Sequence, residues 1–263
     1  MATATVTALG SACSVLTSLD GYAGGDRADA AIASGIDAAP PDAAIDAGDA
    51  SRPPDAGRFC ADKSGFCVDF DGPEGVGTWN GSSVSSNATA GVDTQDSVSP
   101  TGSLLVTVSA GGTAACFRKD IASGFSEIDV DFDVRVEKVG TADFDLARLG
   151  GTTDHSLSIQ VNGALSGKLQ FDQDIVPVTD GGAEEVLTST SFSFDGAWHH
   201  VRWTNRMATS TADAELFVDG TKVGAFTAAI ADYAGPTTLE IGDCLVRSSP
   251  WRIRYDDVQL VVK

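Results

Sequence analysis

Alternating acidic residues are the first feature of this sequence that could do chemistry. The run Glu127-Ile128-Asp129-Val130-Asp131 places a carboxylate at every second position. Since successive side chains of a β-strand point to opposite faces, the three carboxylates share one face and the apolar residues share the other. Carboxylates gathered in this way can exchange protons with a substrate. The same pattern is also typical of any strand that faces solvent in an acidic protein, and both interpretations stay open on these residues alone.

Nucleophilic catalysis has little support in the sequence. His199 and His200 are adjacent, so on a strand they point to opposite faces and cannot bind one metal ion without a bulge. The only other histidine is His155, and no Gly-x-Ser-x-Gly elbow is present. We therefore expect His200 to be a hydrogen-bonded residue beside the edge of a sheet.

The elements that would position these side chains are strands. Val201 and Trp203 alternate with polar residues, and Asp219-Gly220 supplies the positive-φ dipeptide of a tight hairpin turn. The same alternation recurs in roughly a dozen short segments, with Asn162-Gly163 as a second hairpin signal and no amphipathic helix. The sequence therefore predicts an all-β fold in which two antiparallel sheets pack as a sandwich.

Composition divides the chain into a tether and a domain. The 263 residues carry a formal net charge of −20, which disfavours nucleic acid as a partner and suits neutral sugars or divalent cations. Residues 14–57 are rich in Ala, Asp and Pro and have no apolar periodicity, so we predict a disordered tether that the aspartates keep extended. The folded domain is predicted over residues 58–263.

One of the five cysteines stands apart from the rest. Cys13 follows Leu9-Gly10-Ser11-Ala12, which resembles a bacterial lipobox, so residues 1–13 are interpreted as a lipoprotein signal remnant with Cys13 as the lipidated residue. An ordinary secretory remnant with a free thiol is the alternative. In an exported protein the other four cysteines would form two disulfides.

The spacing of those four cysteines favours one pairing. Cys60 and Cys67 are close enough for a local bridge, which leaves Cys116 with Cys244. Two other connectivities are compatible with the sequence, as are four reduced thiols in a cytosolic protein.

Four short segments carry a family resemblance when taken in order: Ala197-Trp198-His199-His200-Val201, Leu216-Phe217-Val218-Asp219-Gly220, Leu239-Glu240-Ile241-Gly242 and Asp256-Asp257-Val258. Together they resemble the concanavalin A-like lectin/glucanase superfamily, nearest its laminin-G-like jelly rolls, over about residues 60–263. The resemblance implies a jelly-roll sandwich. The tether, Cys13 and the segment Phe66–Asp71 also resemble surface lipoproteins of Gram-negative bacteria, which implies export to the outer membrane, cell surface or periplasm, with membrane contact only through a lipid anchor.

The resemblance gives the acidic strand a specific hypothesis. In glycosidases of this superfamily, glutamates alternating along one strand are the nucleophile and general acid of a retaining mechanism. Glu127 and Asp129 match that pattern, while Asp131 is a methylene shorter than the family's glutamate. No tryptophan cluster accompanies the run, so a solvated or binding face is the competing interpretation.

A calcium site is the second expectation that the resemblance brings. In these jelly rolls the first and last strands often lie side by side and share a cation. Asp69 and Asp71 on the first strand, with Asp256 and Asp257 on the last, would supply oxygen ligands for calcium. Alternatively, these side chains cap turns or pair with neighbouring Arg252 and Arg254.

A sugar-binding face completes the predictions. The polar sides of Glu127–Glu137, Ser156–Gln160 and Lys168–Gln170 are expected to form one concave surface. Its binding residues would be Arg135, Arg148, Gln160, Gln170 and Trp251. Because alternation assigns Trp203 inward, Trp251 is the exposed ring on which a sugar would stack.

The sequence therefore predicts a non-catalytic exported lipoprotein whose domain binds carbohydrate or another surface partner. The alternatives are a glycoside hydrolase built on the acidic strand and a structural envelope module without a small ligand.

Overall fold

The computed structural model describes residues 59–71, 74–151, 156–175, 184–207, 211–229, 237–245 and 250–263. Cys13, the predicted tether and His155 lie outside the described residues. Apart from a 3₁₀ turn at Phe59–Asp62 and one helical turn, α1 (Glu74–Gly77), the regular elements of the described residues are strands. They are β1 (Phe66–Val68), β2 (Gly81–Val84), β3 (Ala88–Asp93), β4 (Ser103–Val108), β5 (Ala115–Ile121), β6 (Glu127–Lys138), β7 (Phe144–Gly151), β8 (Ser156–Asn162), β9 (Lys168–Ile175), β10 (Glu184–Ser193), β11 (Trp198–Met207), β12 (Thr211–Val218), β13 (Thr221–Ala229), β14 (Thr237–Asp243) and β15 (Trp251–Val262).

The strands form two antiparallel sheets. Sheet A has the order β13-β12-β11-β6-β15-β4-β3, and β1 also pairs with β15. Sheet B has the order β10-β9-β8-β7-β14-β5-β2. The two-sheet antiparallel sandwich predicted from side-chain alternation is therefore confirmed.

The apolar half of each alternating strand forms the layer between the sheets. Along β6, the residues Ile128, Val130, Phe132 and Val134 have no solvent exposure. Trp203 of β11 is likewise fully buried, as its position in the alternation predicts. Burial of these side chains supplies the main driving force for closing the sandwich.

One polar side chain crosses this apolar layer. Tyr255 of β15, in sheet A, donates its hydroxyl hydrogen to the carbonyl oxygen of Leu146 at 2.9 Å and accepts from the Gly242 amide at 3.1 Å. Leu146 and Gly242 belong to sheet B, so the phenol joins the two sheets. Complete burial raises the pKa of Tyr255, which keeps the phenol protonated and able to donate.

Two disulfides link the ends of the elements. Cys60–Cys67 joins the 3₁₀ turn to β1, with 5.6 Å between the Cα atoms. Cys116–Cys244 joins β5 to the residue after β14, with 5.1 Å between the Cα atoms. The pairing favoured by the spacing is confirmed, and structural disulfides of this kind indicate an exported protein. Within the described part of the chain, no helix has the length and apolar character needed to span a bilayer.

Candidate functional site

The structure divides the predicted sugar-binding face between two sheets. Arg135 lies on β6 of sheet A, whereas Arg148, Gln160 and Gln170 lie on β7, β8 and β9 of sheet B. Because the sheets pack through their inner faces, their outward side chains point in opposite directions. The expectation of one concave surface holding all four residues is therefore wrong, and three of them remain together on sheet B.

Trp251 is not an exposed ring. Only 1% of the residue is accessible, and its indole stacks on Phe144 with 5.3 Å between ring centroids. Trp251 pairs with Val108 of β4 and shares its side of β15 with Ile253 and Tyr255, which are core residues. The predicted stacking platform is therefore part of the apolar core.

The outward side chains of sheet B form a layer of mutual hydrogen bonds. Ser158 donates to Asp145 at 3.0 Å, and the Gln160 amide donates to Asp172. Gln170 donates to Gln160 at 3.3 Å. These five residues are 0–2% exposed although they point away from the core. This outer face, which we call the sheet B face, is an ordered polar layer rather than a hydrated surface.

The accessible part of the sheet B face carries Arg118, Arg148 and Asp174. Together with the buried Glu240, which pairs with both arginines, we call them the arginine row. Arg148 lies between two carboxylates, 3.6 Å from Glu240 and 3.9 Å from Asp174. Arg118 donates through Nε to Glu240 at 2.8 Å. The side chains of Arg148 and Asp174 are 21% and 30% exposed, so a ligand can reach them. Nε of Arg148 has no hydrogen-bond partner among the described residues.

Sequence reasoning missed most of the acidic members of this face. It took the polar side of this strand only over Lys168–Gln170, whereas β9 continues to Ile175 and carries Asp172 and Asp174 on its outward side. Alternation of Asp172 and Asp174 with Phe171 was the available signal. Glu240 was read only as part of a family segment and given no role.

The predicted acidic strand lines a groove on the outer face of sheet A. We call it the sheet A groove; its volume is about 540 Å³. Its lining residues are Phe59, Lys63, Glu127, Asp129, Asp131, His200, Arg202, Thr204, Arg206, Glu215, Phe217, Gln259 and Lys263.

The carboxylates of the acidic strand are paired with cations. Lys263 Nζ lies 2.6 Å from Glu127 and 2.7 Å from Asp129. Burial alone would raise the pKa of Asp129, but hydrogen bonds from Lys263 and Thr204 hold that pKa below its usual value. A catalytic general acid needs a raised pKa, so this environment does not favour the glycosidase hypothesis.

His200 lies between two carboxylates of the same strand. Its Nε2 is 3.5 Å from Asp131 and its Nδ1 is 3.0 Å from Asp133. Hydrogen bonds to Asp131 and Asp133 raise the pKa of His200 to about 9 despite partial burial. His200 is hydrogen-bonded as predicted, but β11 is an interior strand of sheet A, so the predicted position at a sheet edge is wrong.

The two adjacent histidines have different partners. The His199 ring lies between Asp219 at 2.8 Å and Asp195 at 3.0 Å, whereas the His200 ring contacts Asp131 and Asp133, and only the backbone N–H of His200 donates to Asp219, at 2.9 Å. The histidines therefore do not converge on one site.

Three of the four aspartates predicted to bind calcium, Asp69, Asp71 and Asp256, accept hydrogen bonds from backbone amides. Asp256 accepts from the amides of Val98 and Ser99 at 2.9 and 3.0 Å. Asp71 accepts from the Thr101 amide, and Asp69 from the Asp71 amide. Asp256 and Asp257 are both buried, and burial together with the charge of Asp257 raises the pKa of Asp256 to about 8.

These contacts bear on the alternatives for the four aspartates. The capping role is observed, whereas Arg252 and Arg254 form ion pairs with Glu137 at 2.7 and 2.6 Å. Within the described ranges, no group of three or more His, Cys, Asp or Glu side chains is arranged to hold a metal ion. An ion beside Asp257 would therefore need backbone or water oxygens as well.

Comparisons with known proteins define the class of fold. No protein-family model matches the sequence, and no curated protein matches it. Among solved structures, the endo-β-1,4-glucuronan lyase of the fungus Trichoderma reesei is similar with a TM-score of 0.58 and 15% identity, over 75% of this chain and 95% of that one. The cellulose induced protein Cip1 gives 0.55 and 13%, over 75% and 97% of the two chains. A carbohydrate esterase of the Shiga toxin-encoding bacteriophage phi24B gives 0.52 and 16%, with the same coverage.

The fold is therefore a concanavalin A-like jelly-roll sandwich, as the resemblance implied. At 13–16% identity the likeness establishes the fold, and the chemistry must be argued from the side chains of this chain.

The position of His200 generates a pH prediction. A histidine whose pKa is raised in the folded state stabilises the fold below its unfolded pKa of about 6.5, and the stabilisation is lost as pH rises through the folded pKa. We expect the free energy of unfolding of the native protein to exceed that of His200→Gln most at pH 6. The difference should disappear between pH 6.5 and about 9, measured by denaturant unfolding.

A control separates this effect from general pH sensitivity. Thr227→Val removes an exposed hydrogen bond to Asp213 and should give a difference that is constant over the same range. A constant difference for His200→Gln, or an NMR titration midpoint of His200 near 6.5, would contradict the assignment.

Proposed function

We propose that this protein is an exported carbohydrate-binding protein that holds its glycan on the sheet B face. The polar layer formed by Asp145, Ser158, Gln160, Gln170 and Asp172 is the observation that supports this most. Each side chain in the layer is fixed by another, so few rotamers are lost when a ligand binds. Because these five side chains are 0–2% exposed, they form an ordered base, and the groups that a sugar hydroxyl can reach are those of the arginine row.

The arginine row is the part of this face that would contact the sugar first. Arg148 lies between Glu240 and Asp174, but at 3.6 and 3.9 Å it is too far from either for a strong hydrogen bond. Its guanidinium can therefore donate to a sugar hydroxyl without leaving its position. Glu240 is held by Arg118 from the other side.

The charge of the face favours neutral glycans. Arg118 and Arg148 are outnumbered by carboxylates, which are Asp143, Asp145, Asp172, Asp174 and Glu240. An acidic sugar would meet this excess negative charge at short range, where repulsion is strong. A sugar that offers only hydroxyl groups avoids that repulsion.

The named relatives in fold add a consistent context. A glucuronan lyase and a carbohydrate esterase are among the solved structures with this sandwich. They support a carbohydrate partner for this chain without deciding between binding and turnover. The glycoside hydrolase built on Glu127, Asp129 and Asp131 stays the rival, although Lys263 pairs with two of its carboxylates.

Removing Arg148 is the direct test of this proposal. The glycan would be selected on an array of neutral oligosaccharides, and its affinity measured by calorimetry. We expect Arg148→Ala to weaken binding about tenfold, the effect of losing one or two hydrogen bonds to a charged group. Release of reducing ends that is lost in Glu127→Gln would favour the hydrolase, and absence of any glycan binding would favour a structural envelope module.

Arg202→Ala is the matched control, since it removes the same charge from the outer face of sheet A. Its affinity for the neutral glycan should equal that of the native protein. Equal losses in the two variants would contradict a site on sheet B.

We also propose a structural calcium ion beside Asp256 and Asp257, to which Asp69 and Asp71 would contribute as the sequence resemblance implies. Burial and the charge of Asp257 raise the pKa of Asp256 to about 8, and a divalent cation would favour the ionised form of both carboxylates. The four recorded donors to Asp256 are neutral amide and hydroxyl groups.

Thermal unfolding tests the calcium proposal. Calcium at 100 times its dissociation constant would stabilise the fold by about 2.7 kcal/mol, which we expect as a rise in Tm of several degrees. Asp257→Asn should abolish the rise, and magnesium should reproduce little of it. A Tm unchanged by millimolar calcium after treatment with a chelator would count against the ion.

The attachment to the cell envelope completes the proposal. An acyl chain on Cys13 would anchor the protein, with residues 14–57 as the spacer between membrane and domain. Metabolic labelling with palmitate in a Gram-negative host should mark the native chain and not Cys13→Ser. Labelling of both, or of neither, would remove the anchor from the account.

A further inference from the structure

The sheet A groove has two walls that each carry an aromatic ring. Phe217 of β12 forms one wall, and Phe59 of the 3₁₀ turn lies on the other side. Between them run β15, β6 and β11, so the wall strand β12 and β15 are about 14 Å apart at the usual strand spacing. The groove volume of about 540 Å³ falls within the roughly 300–1,000 Å³ typical of small-molecule sites.

A disulfide holds the Phe59 wall in place. Cys60 of the 3₁₀ turn is bonded to Cys67 of β1, and Cys67 pairs with Gln259 on β15. Phe59 and Lys63 are therefore fixed beside β15, which carries the floor residue Gln259 and is followed directly by Lys263. This wall is part of the folded domain and does not depend on a ligand to form it.

The acidic side chains of the groove are already committed to partners. Glu215 lies 2.8 Å from Arg206 and 2.6 Å from Lys222. Lys263 holds Glu127 and Asp129, and His200 lies beside Asp131. The carboxylates thus contribute little free negative charge to a ligand that enters.

Two cations of the groove have no carboxylate partner among the described residues. The guanidinium carbon of Arg202 lies 4.3 Å from the centroid of the Phe217 ring, and Lys63 Nζ lies 4.7 Å from that of Phe59. Each cation is held over a ring rather than by an ion pair. On a molecule with a net charge of −20, the groove is a place where positive charge is uncompensated.

Arg202 has the geometry of an anion receptor. Stacking fixes the plane of the guanidinium and leaves its N–H edges free, which matches a carboxylate in a two-point contact. Thr204 and Gln259 add a hydroxyl and an amide along the floor. Backbone groups of the floor strands are used within sheet A, so a peptide strand finds no ladder to join.

We propose that the sheet A groove is a second binding site, which takes an oligosaccharide bearing uronic acid carboxylates. Arg202 binds a carboxylate, Lys63 supports a second anionic unit, and the exposed edges of Phe217 and Phe59 contact the apolar faces of the sugar rings. This site is independent of the neutral-glycan site on sheet B and lies on the opposite outer face.

Titration calorimetry with trigalacturonate at low ionic strength tests the proposal on the full chain. We expect measurable binding that weakens as salt is added, because the recognition is ionic. Arg202→Ala should weaken binding at least tenfold. The affinity of Arg202→Lys should lie between those of the native protein and Arg202→Ala, because lysine keeps the positive charge but lacks the paired N–H groups of the guanidinium. The methyl ester of the same trisaccharide, which lacks the charge, should bind at least tenfold more weakly to the native protein.

Two controls assign the effect to the groove. Lys138→Ala removes an exposed cation from the far end of β6 and should leave the affinity unchanged, as should Arg148→Ala on sheet B. The proposal is overturned if native protein does not bind trigalacturonate, if Arg202→Ala binds as native does, or if the methyl ester binds equally well. Tighter, Arg202-dependent binding of poly-aspartate would reassign the groove to acidic peptides.

These outcomes are distinct from those of the neutral-glycan test. Loss of neutral-glycan binding in Arg148→Ala with trigalacturonate binding intact supports both sites. Loss of trigalacturonate binding in Arg148→Ala overturns the second site alone.

Discussion

The shared apolar layer between the two sheets is the constraint on which the rest of this structure depends. The long strands contribute alternate side chains to that layer, so their remaining side chains must lie on one of two outer faces. The hydroxyl of Tyr255 is hydrogen-bonded to Leu146 and Gly242 of the opposite sheet. These bonds fix the position of one sheet on the other, which apolar contacts alone would not do. Polar residues assigned to different sheets therefore cannot meet, however similar their positions in sequence.

That constraint gives the two outer faces different chemistry. On sheet B the acids bond to amides, hydroxyls and two arginines, and form a layer with excess negative charge. On sheet A the acids are neutralised by Lys263, Arg206 and Lys222, while Arg202 lies over a ring instead of a carboxylate. What each face can bind follows less from how many acids it has than from which charges already have partners.

The sequence predicted the strands well because alternation is a local signal. Whether Val134 or Trp203 faces inward can be read from its neighbours, and both are buried as expected. The two disulfides could also be predicted from sequence, because Cys60 and Cys67 are only seven residues apart. With Cys13 set aside, only Cys116 and Cys244 then remain to pair. These predictions needed no knowledge of which strand pairs with which.

The sheet to which each strand belongs could not be predicted from such local patterns. Alternation says that Arg135 and Gln160 both face outward, but β6 pairs with β11 and β15, while β8 pairs with β7 and β9. The pairings of β6 join residues far apart in sequence, whereas β7, β8 and β9 pair with their neighbours along the chain. No local pattern assigns these two groups of strands to different sheets. Trp251 is a different case, because it alternates with Arg252 and shares its side of β15 with Ile253 and Tyr255, so local alternation already indicates that it faces inward.

Hydrogen–deuterium exchange with and without the neutral glycan that the protein selects tests the central claim most directly. The account predicts slower exchange in β7, β8 and β14 when the glycan is bound, with β6 and β11 unchanged. Protection confined to β6 and β11, with none on sheet B, would contradict it.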